Sequence, residues 1–210
     1  MGVHAFNIEH LKFNIRYLFP VANPVAHKRY YTPEEFFQAE EWAEARHEYW
    51  RGEIFAMAGT TKSHNACVGN LYVALRIHFT PRHCDVFTEN ILLEVIPDQY
   101  YTYPDLTVTC SSRDREDNKL VREPALIVEV LSKSTQGYDL STKLTHYLNI
   151  PGLLAYVVVS RREHALHVWE KVGDGWHYRT LQGLDNHLFL PAFGLNVPFA
   201  DIYRNVALET

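Results

Sequence analysis

Apolar and polar positions along this chain change period several times, and each change marks an element. Thr32-Pro33-Glu34-Glu35 opens the first helix: a Thr N-cap, Pro in the first turn, and a Glu three residues after the cap to complete a capping box. This helix is predicted to run to about Arg46. His47-Glu48-Tyr49-Trp50, Arg51-Gly52 and residues 53–57 read as strand, turn and strand. Ser63 is the expected cap of a second helix reaching Phe79, with Val68, Leu71, Leu75 and Phe79 on its buried face. Short strands are predicted near 85–87 and 91–96, followed by one beginning at Asp105. The polar stretch 111–123 reads as an exposed loop. Residues 124–132 form an apolar strand, 138–149 a third helix stopped by Pro151-Gly152, and 153–160 a strongly apolar strand. Residues 165–171 and 176–181 form a hairpin around Gly173-Asp174-Gly175, and 201–206 a short closing helix. This order predicts a mixed α/β fold around one central sheet. The first 30 residues, broken by Pro20 and Pro24, read as an N-terminal arm ahead of a single domain over 31–210.

Composition narrows the classes. A length of 210 residues with 47% hydrophobic and 13% aromatic content is that of one globular domain. The net charge of −5 counts against coating nucleic acid through bulk charge. No apolar run is long enough to span a bilayer, and the N-terminus lacks the pattern of a secretory signal, so the chain reads as soluble and cytoplasmic. The three cysteines, Cys67, Cys84 and Cys110, are odd in number with no Cys-x-x-Cys. They predict a reducing compartment and no structural zinc, with Cys67 and Cys110 as core residues. Arg161-Arg162 and Lys171 read as exposed strand ends. Trp169, Trp176 and Tyr178 read as hairpin packing.

The chemistry is carried by acids in apolar strands. Glu129 interrupts Pro124-Ala125-Leu126-Ile127-Val128-Glu129-Val130-Leu131-Ser132. A carboxylate buried there costs several kcal/mol, of order, unless a cation or donors compensate it. Asp105 opens another strand 24 residues upstream. Strand parity puts Thr107 and Thr109 on the face of Asp105, and Ala125, Ile127 and Leu131 on that of Glu129. If the strands are neighbours, both carboxylates reach one hard cation, Mg²⁺ or Mn²⁺, with the Val130 carbonyl as a further oxygen ligand. On the third helix Asp139 and Lys143 share a face with His146, opposite Leu140, Leu144, Tyr147 and Leu148. Lys143 beside the acids would orient water or neutralise developing phosphate charge. The plainer alternatives are a buried Glu129–Lys143 salt bridge, a turn role for Asp105, and a helix-surface Asp139–Lys143 pair.

Several pieces together resemble the Uma-type restriction endonuclease family of the PD-(D/E)XK nuclease superfamily. They are His47-Glu48-Tyr49-Trp50-Arg51-Gly52-Glu53, His64 after a Ser, Tyr103-Pro104-Asp105, Ile127-Val128-Glu129-Val130-Leu131-Ser132, Asp139-x-x-x-Lys143-x-x-x-Tyr147 and Leu154-Ala155-Tyr156-Val157-Val158-Val159. The resemblance implies a restriction-endonuclease-like central mixed sheet flanked by helices, with the C-terminal hairpin added. It implies a Mg²⁺- or Mn²⁺-dependent endonuclease on nucleic acid, in the first instance DNA, with Asp105 and Glu129 as metal ligands and a homodimer as a further expectation. The superfamily lysine stands two residues after the second acid, where this chain has Leu131. The resemblance implies its migration to Lys143, with Lys133 the lesser substitute. Glu48 matches a family acid able to add a metal or water ligand. His64, near a helix start, would touch phosphate or assist proton transfer. Two other readings stay open: a non-catalytic binding or assembly module, and a phosphodiesterase acting on RNA or a small nucleotide.

Overall fold

The computed structural model describes residues 29–57, 59–132 and 139–209. Most of the expected N-terminal arm, and Lys133, lie outside the described residues. The elements are α1 (Pro33–Glu41), β1 (His47–Trp50), β2 (Glu53–Ala56), α2 (Lys62–Phe79), β3 (Asp85–Thr88), β4 (Leu92–Ile96), β5 (Tyr100–Thr102) and β6 (Leu106–Thr109). They continue as α3 (Ser112–Glu116), β7 (Leu120–Val121), β8 (Pro124–Val130), a π-helical turn (Asp139–Lys143) running into α4 (Leu144–Tyr147), and β9 (Ala155–Val159). The C-terminal part holds β10 (Ala165–Val172), β11 (Gly175–Gln182), β12 (His187–Leu190), β13 (Leu195–Pro198) and α5 (Phe199–Ile202).

The expected single central sheet is in fact two facing sheets and a ribbon. One sheet has five strands in the order β2-β1-β5-β4-β7, another six in the order β11-β10-β9-β8-β6-β3, and β12-β13 form the ribbon. The sheets are mixed: β8 and β9 run parallel, as do β4 and β7, while their other pairings are antiparallel. Strand β8 is buried on both faces, so its apolar run is nearly continuous. Leu126, Val128 and Val130 join Leu71, Leu75 and Phe79 of α2 in one core. Ile127 and Leu131 face the other way and pack, with Tyr156 and Val158, against Leu93, Val95 and Tyr100 of the five-stranded sheet. Phe36 of α1 covers that sheet's far face at Tyr49 and Tyr101. The layers run α1, sheet, sheet, α2. Glu129 shares the parity of Ile127, so it points into the layer between the sheets.

The departures from expectation have local causes. Helix α1 ends at Glu41, not near Arg46, because Glu40 turns inward and accepts from the His47 backbone N–H and the Tyr103 hydroxyl. Helix α2 is capped by Thr61, not Ser63; the Thr61 hydroxyl accepts from the His64 N–H. The stretch 111–123 is not simply an exposed loop. It holds α3 and β7, and buried Asp114 accepts from Thr109 Oγ1 and from the N–H groups of Arg122 and Glu123. Strands β5 and β7 are three and two residues long, too short for a period to reveal. The ribbon β12–β13 was not foreseen, and the closing helix is α5 rather than 201–206.

Cysteine pairing also differs. Strands β3 and β6 pair with Asp85 opposite Thr109, and one step beyond, Cys84 and Cys110 form a disulfide. Cys110 is exposed rather than a core residue, and only Cys67 is free and buried among the described cysteines. The pairing removes the argument from cysteine number to a reducing compartment. No described helix is long and apolar enough to cross a membrane.

The β1–β2 turn uses Arg51 at φ 45° and Gly52 at φ 92°. A Cβ on Gly52 would also fall 2.9 Å from Tyr30 Cδ1. Gly52→Ala should therefore cost about 1–3 kcal/mol of stability, read as a lower urea midpoint.

Candidate active site

The β6–β8 register sets Leu106 opposite Val128, so Asp105 meets Glu129 across the strand pair. The two residues are tied through backbone donors. The Val130 N–H donates to Asp105 Oδ2 at 2.6 Å, and the Asp105 N–H lies 3.3 Å from Glu129 Oε2. The other Glu129 oxygen, Oε1, accepts from Lys143 Nζ at 3.0 Å and from the Tyr147 hydroxyl at 3.0 Å. Burial, with the Glu129 charge beside it, raises the Tyr147 phenol well above its usual range, so that O–H remains a donor.

Lys143 also lies 3.1 Å from Glu48 Oε1, and Glu48 accepts a short hydrogen bond from the Thr102 hydroxyl. Glu48 comes from the five-stranded sheet and Glu129 from the six-stranded sheet. The ammonium thus bridges the two layers, and all three groups are buried. Removing one member of such a cluster leaves an unpaired buried charge, a loss of about 3–5 kcal/mol.

His64, in the first turn of α2, serves Asp105 from the other side. Its Nε2 is 3.1 Å from Asp105 Oδ1 and 3.4 Å from Glu89 Oε1. Burial alone would lower the imidazole pKa, but the hydrogen bond to Asp105 and the negative charge of Asp105 and Glu89 outweigh it and raise it from 6.5 to about 9. His64 Nδ1 and Glu89 Oε1 are buried without a hydrogen-bond partner among the described residues, the 3.4 Å approach to Glu89 being an ion-pair distance without hydrogen-bond alignment. Donor atoms of His64, Glu89 and Asp105 all lie within 4.8 Å of one another. Two carboxylates and an imidazole at that spacing, with orphaned polar atoms, fit a divalent transition ion such as Mn²⁺, and fit Mg²⁺ less well.

These groups line one cleft of 760 Å³. Glu48, His64, Asp105, Glu129, Val130 and Lys143, all named from sequence, border it, and so do Glu89 and Arg161. Glu89 was missed because it sits in the turn after β3, where an acid carries no pattern. Arg161, expected at an exposed strand end, is 2% exposed, with Nε donating to the Leu131 carbonyl and NH1 to the Thr61 hydroxyl. A second correction concerns the third helix: Tyr147 belongs on the side of Lys143, not opposite it, because both reach Glu129 Oε1. His146 instead packs on Trp50 and Tyr100. The side chain of Asp139 lies outside the described residues. Of the hairpin aromatics, Trp169 stacks on Tyr156 and the Trp176 N–H donates to the Leu148 carbonyl as expected, whereas Tyr178, against Trp169, leaves half its surface exposed.

Two uncharacterized proteins of Synechocystis sp. are similar along most of their length. One, slr1290, is 35% identical over 177 residues, 84% of this chain and 93% of its own. The other, sll1609, is 33% identical over 162 residues, 76% of this chain and 92% of its own. Among solved structures, a protein from Anabaena variabilis described as "a putative nuclease belonging to DUF820" superposes with a TM-score of 0.68 at 20% identity, covering 82% of this chain and 97% of that one. That likeness is one of fold, and it is the restriction-endonuclease-like mixed α/β fold expected from sequence. Residues 33–199 match the Uma2 family, whose description reads "Putative restriction endonuclease". With that match over most of its length, and relatives above 30% identity, the chain belongs to the Uma2 family.

Proposed function

We propose that this protein is a divalent-metal-dependent nuclease that hydrolyses phosphodiester bonds in DNA. The single observation that carries the reading is the meeting of Asp105 and Glu129 at one end of the cleft, with Lys143 on the one acid and His64 on the other. Membership of the family described as "Putative restriction endonuclease" supports it.

Asp105 is the shared element of two ligand sets. One is Asp105 with Glu129 and the Val130 carbonyl; the other is Asp105 with His64 and Glu89. The orphaned Glu89 oxygen and the spacing of the second set favour it for Mn²⁺. When bound, the ion supplies fixed positive charge against phosphate oxygens and acidifies water, which is much of what this slow reaction needs. The protein supplies the rest. Val130 N–H and Asp105 N–H hold the two carboxylates in place. Tyr147 and Lys143 orient Glu129 through its Oε1. The Lys143 ammonium, between Glu48 and Glu129, is placed to orient a water or meet charge developing on a phosphate oxygen. His64 holds a proton against Asp105 that an entering cation must displace.

Asp105→Asn and Glu129→Gln should each lower the rate of Mn²⁺-supported cleavage of plasmid DNA by roughly 10²-fold or more, with circular dichroism unchanged. Full activity in either variant removes the assignment. Metal stabilisation gives a separate check. Ion at about a hundredfold excess over Kd stabilises by about 2.7 kcal/mol, so millimolar Mn²⁺ should raise the melting temperature. Glu89→Gln should abolish that rise if His64, Glu89 and Asp105 hold the ion. A rise that survives Glu89→Gln but is lost in Glu129→Gln assigns the ion to the other set.

A further inference from the structure

The cleft holds more cations than its acid pair requires, and they differ in what neutralises them. Lys143 is locked between Glu48 and Glu129, two acids on sheet strands. His64 is held by Asp105 and Glu89. Arg46 is half exposed and stands 3.8 Å from Glu40. Arg161 is different. It is buried, its Nε and NH1 are anchored to Leu131 and Thr61, and its acid partner is Glu209, 2.9 Å from NH1. Glu209 belongs to the C-terminal segment and directly follows Leu208, which packs against the core. The tail is fixed there by its own backbone, the Glu209 N–H donating to the Arg161 carbonyl at 2.7 Å.

The placement has a chemical reading. A guanidinium held rigidly at Nε and one NH1 direction still offers its remaining N–H groups as a planar fork, the geometry that suits a phosphate better than a single carboxylate oxygen. Its anchor Thr61 is the N-cap of an 18-residue helix, whose positive end also favours an anion. The Glu209 carboxylate is an anion already seated in that environment. Its side chain is 21% exposed against 2% for Arg161, so it is the partner that solvent and substrate can reach.

We propose that Arg161 is a phosphate-binding residue of this cleft, and that Glu209 holds the phosphate's place on it until substrate displaces the tail. The inference rests on the nuclease reading for its ligand, a phosphodiester of a nucleic acid strand. The tail then acts as a built-in competitor: it lowers apparent substrate affinity without touching the acids that support hydrolysis.

The test separates this inference from the nuclease reading by measuring binding without turnover. In EDTA, the affinity of the full chain for a fluorescent single-stranded oligonucleotide is measured by anisotropy, and for inorganic phosphate by calorimetry. Glu209→Gln should tighten oligonucleotide binding about fivefold, the factor expected when a competitor held by one partly exposed ion pair is removed. The double variant Glu209→Gln/Arg161→Gln should lose that gain. Should Arg161→Gln fail to fold, Glu209→Gln decides alone. Unchanged oligonucleotide affinity in Glu209→Gln, or only a lower melting temperature, overturns the inference and makes the pair structural, whatever the cleavage assay reports. Tighter binding of inorganic phosphate without tighter oligonucleotide binding also overturns it, leaving a free-anion site. Tighter oligonucleotide binding in a protein that never cleaves DNA upholds the phosphate contact while the nuclease reading falls.

Discussion

One buried ammonium organises this molecule. Lys143 lies between Glu48 of one sheet and Glu129 of the other, and the layer around it is otherwise built from Ile127, Tyr147, Tyr156 and Val158. Two carboxylates in such surroundings repel each other and lose their hydration, so neither sheet could present its acid without the cation. The same constraint explains the tyrosine hydroxyl beside it. Tyr147 donates to the oxygen that Lys143 also contacts, which leaves the other Glu129 oxygen turned toward Asp105. The bridging charge thereby sets the direction in which Glu129 turns its Oε2 toward Asp105.

From that point the cleft is a balance of charge arranged by depth. Structural pairs lie deep, between sheet residues that cannot move apart without unpacking both layers. The more exposed partners come from a turn and the C-terminal segment: Glu89 after β3, and Glu209 on Arg161. Among the described residues, the buried polar atoms without a hydrogen-bond partner, His64 Nδ1 and Glu89 Oε1, belong to the set around Asp105. A site built this way keeps its framework rigid while leaving specific positions open to exchange with a cation or a phosphate.

Much of this was legible in advance where a residue's chemistry contradicts its neighbours. Glu129 in an apolar strand announces itself, and parity alone puts it on the face of Ile127 and Leu131. The Thr32 capping box, the β1–β2 hairpin, the face of α2 and the β10–β11 hairpin follow from local rules and are present. What failed were inferences that needed a partner distant in sequence. Arg161 reads as a surface charge until Leu131, Thr61 and Glu209 are brought around it. Tyr147 reads as a helix core residue until its hydroxyl finds Glu129. Cys84 and Cys110 read as unpaired until the β3–β6 register sets them side by side.

The amino-acid order by itself determined the identity and local register of the acids, because burial of a carboxylate and a two-residue strand period are properties of short segments. It also determined the element types wherever caps and periods were complete. Only the tertiary structure decided that two sheets face each other rather than one standing alone, and which cation neutralises which acid. Sheet order and charge pairing are set by contacts between segments many residues apart, and their energies depend on the low-dielectric interior that exists only once the chain has folded.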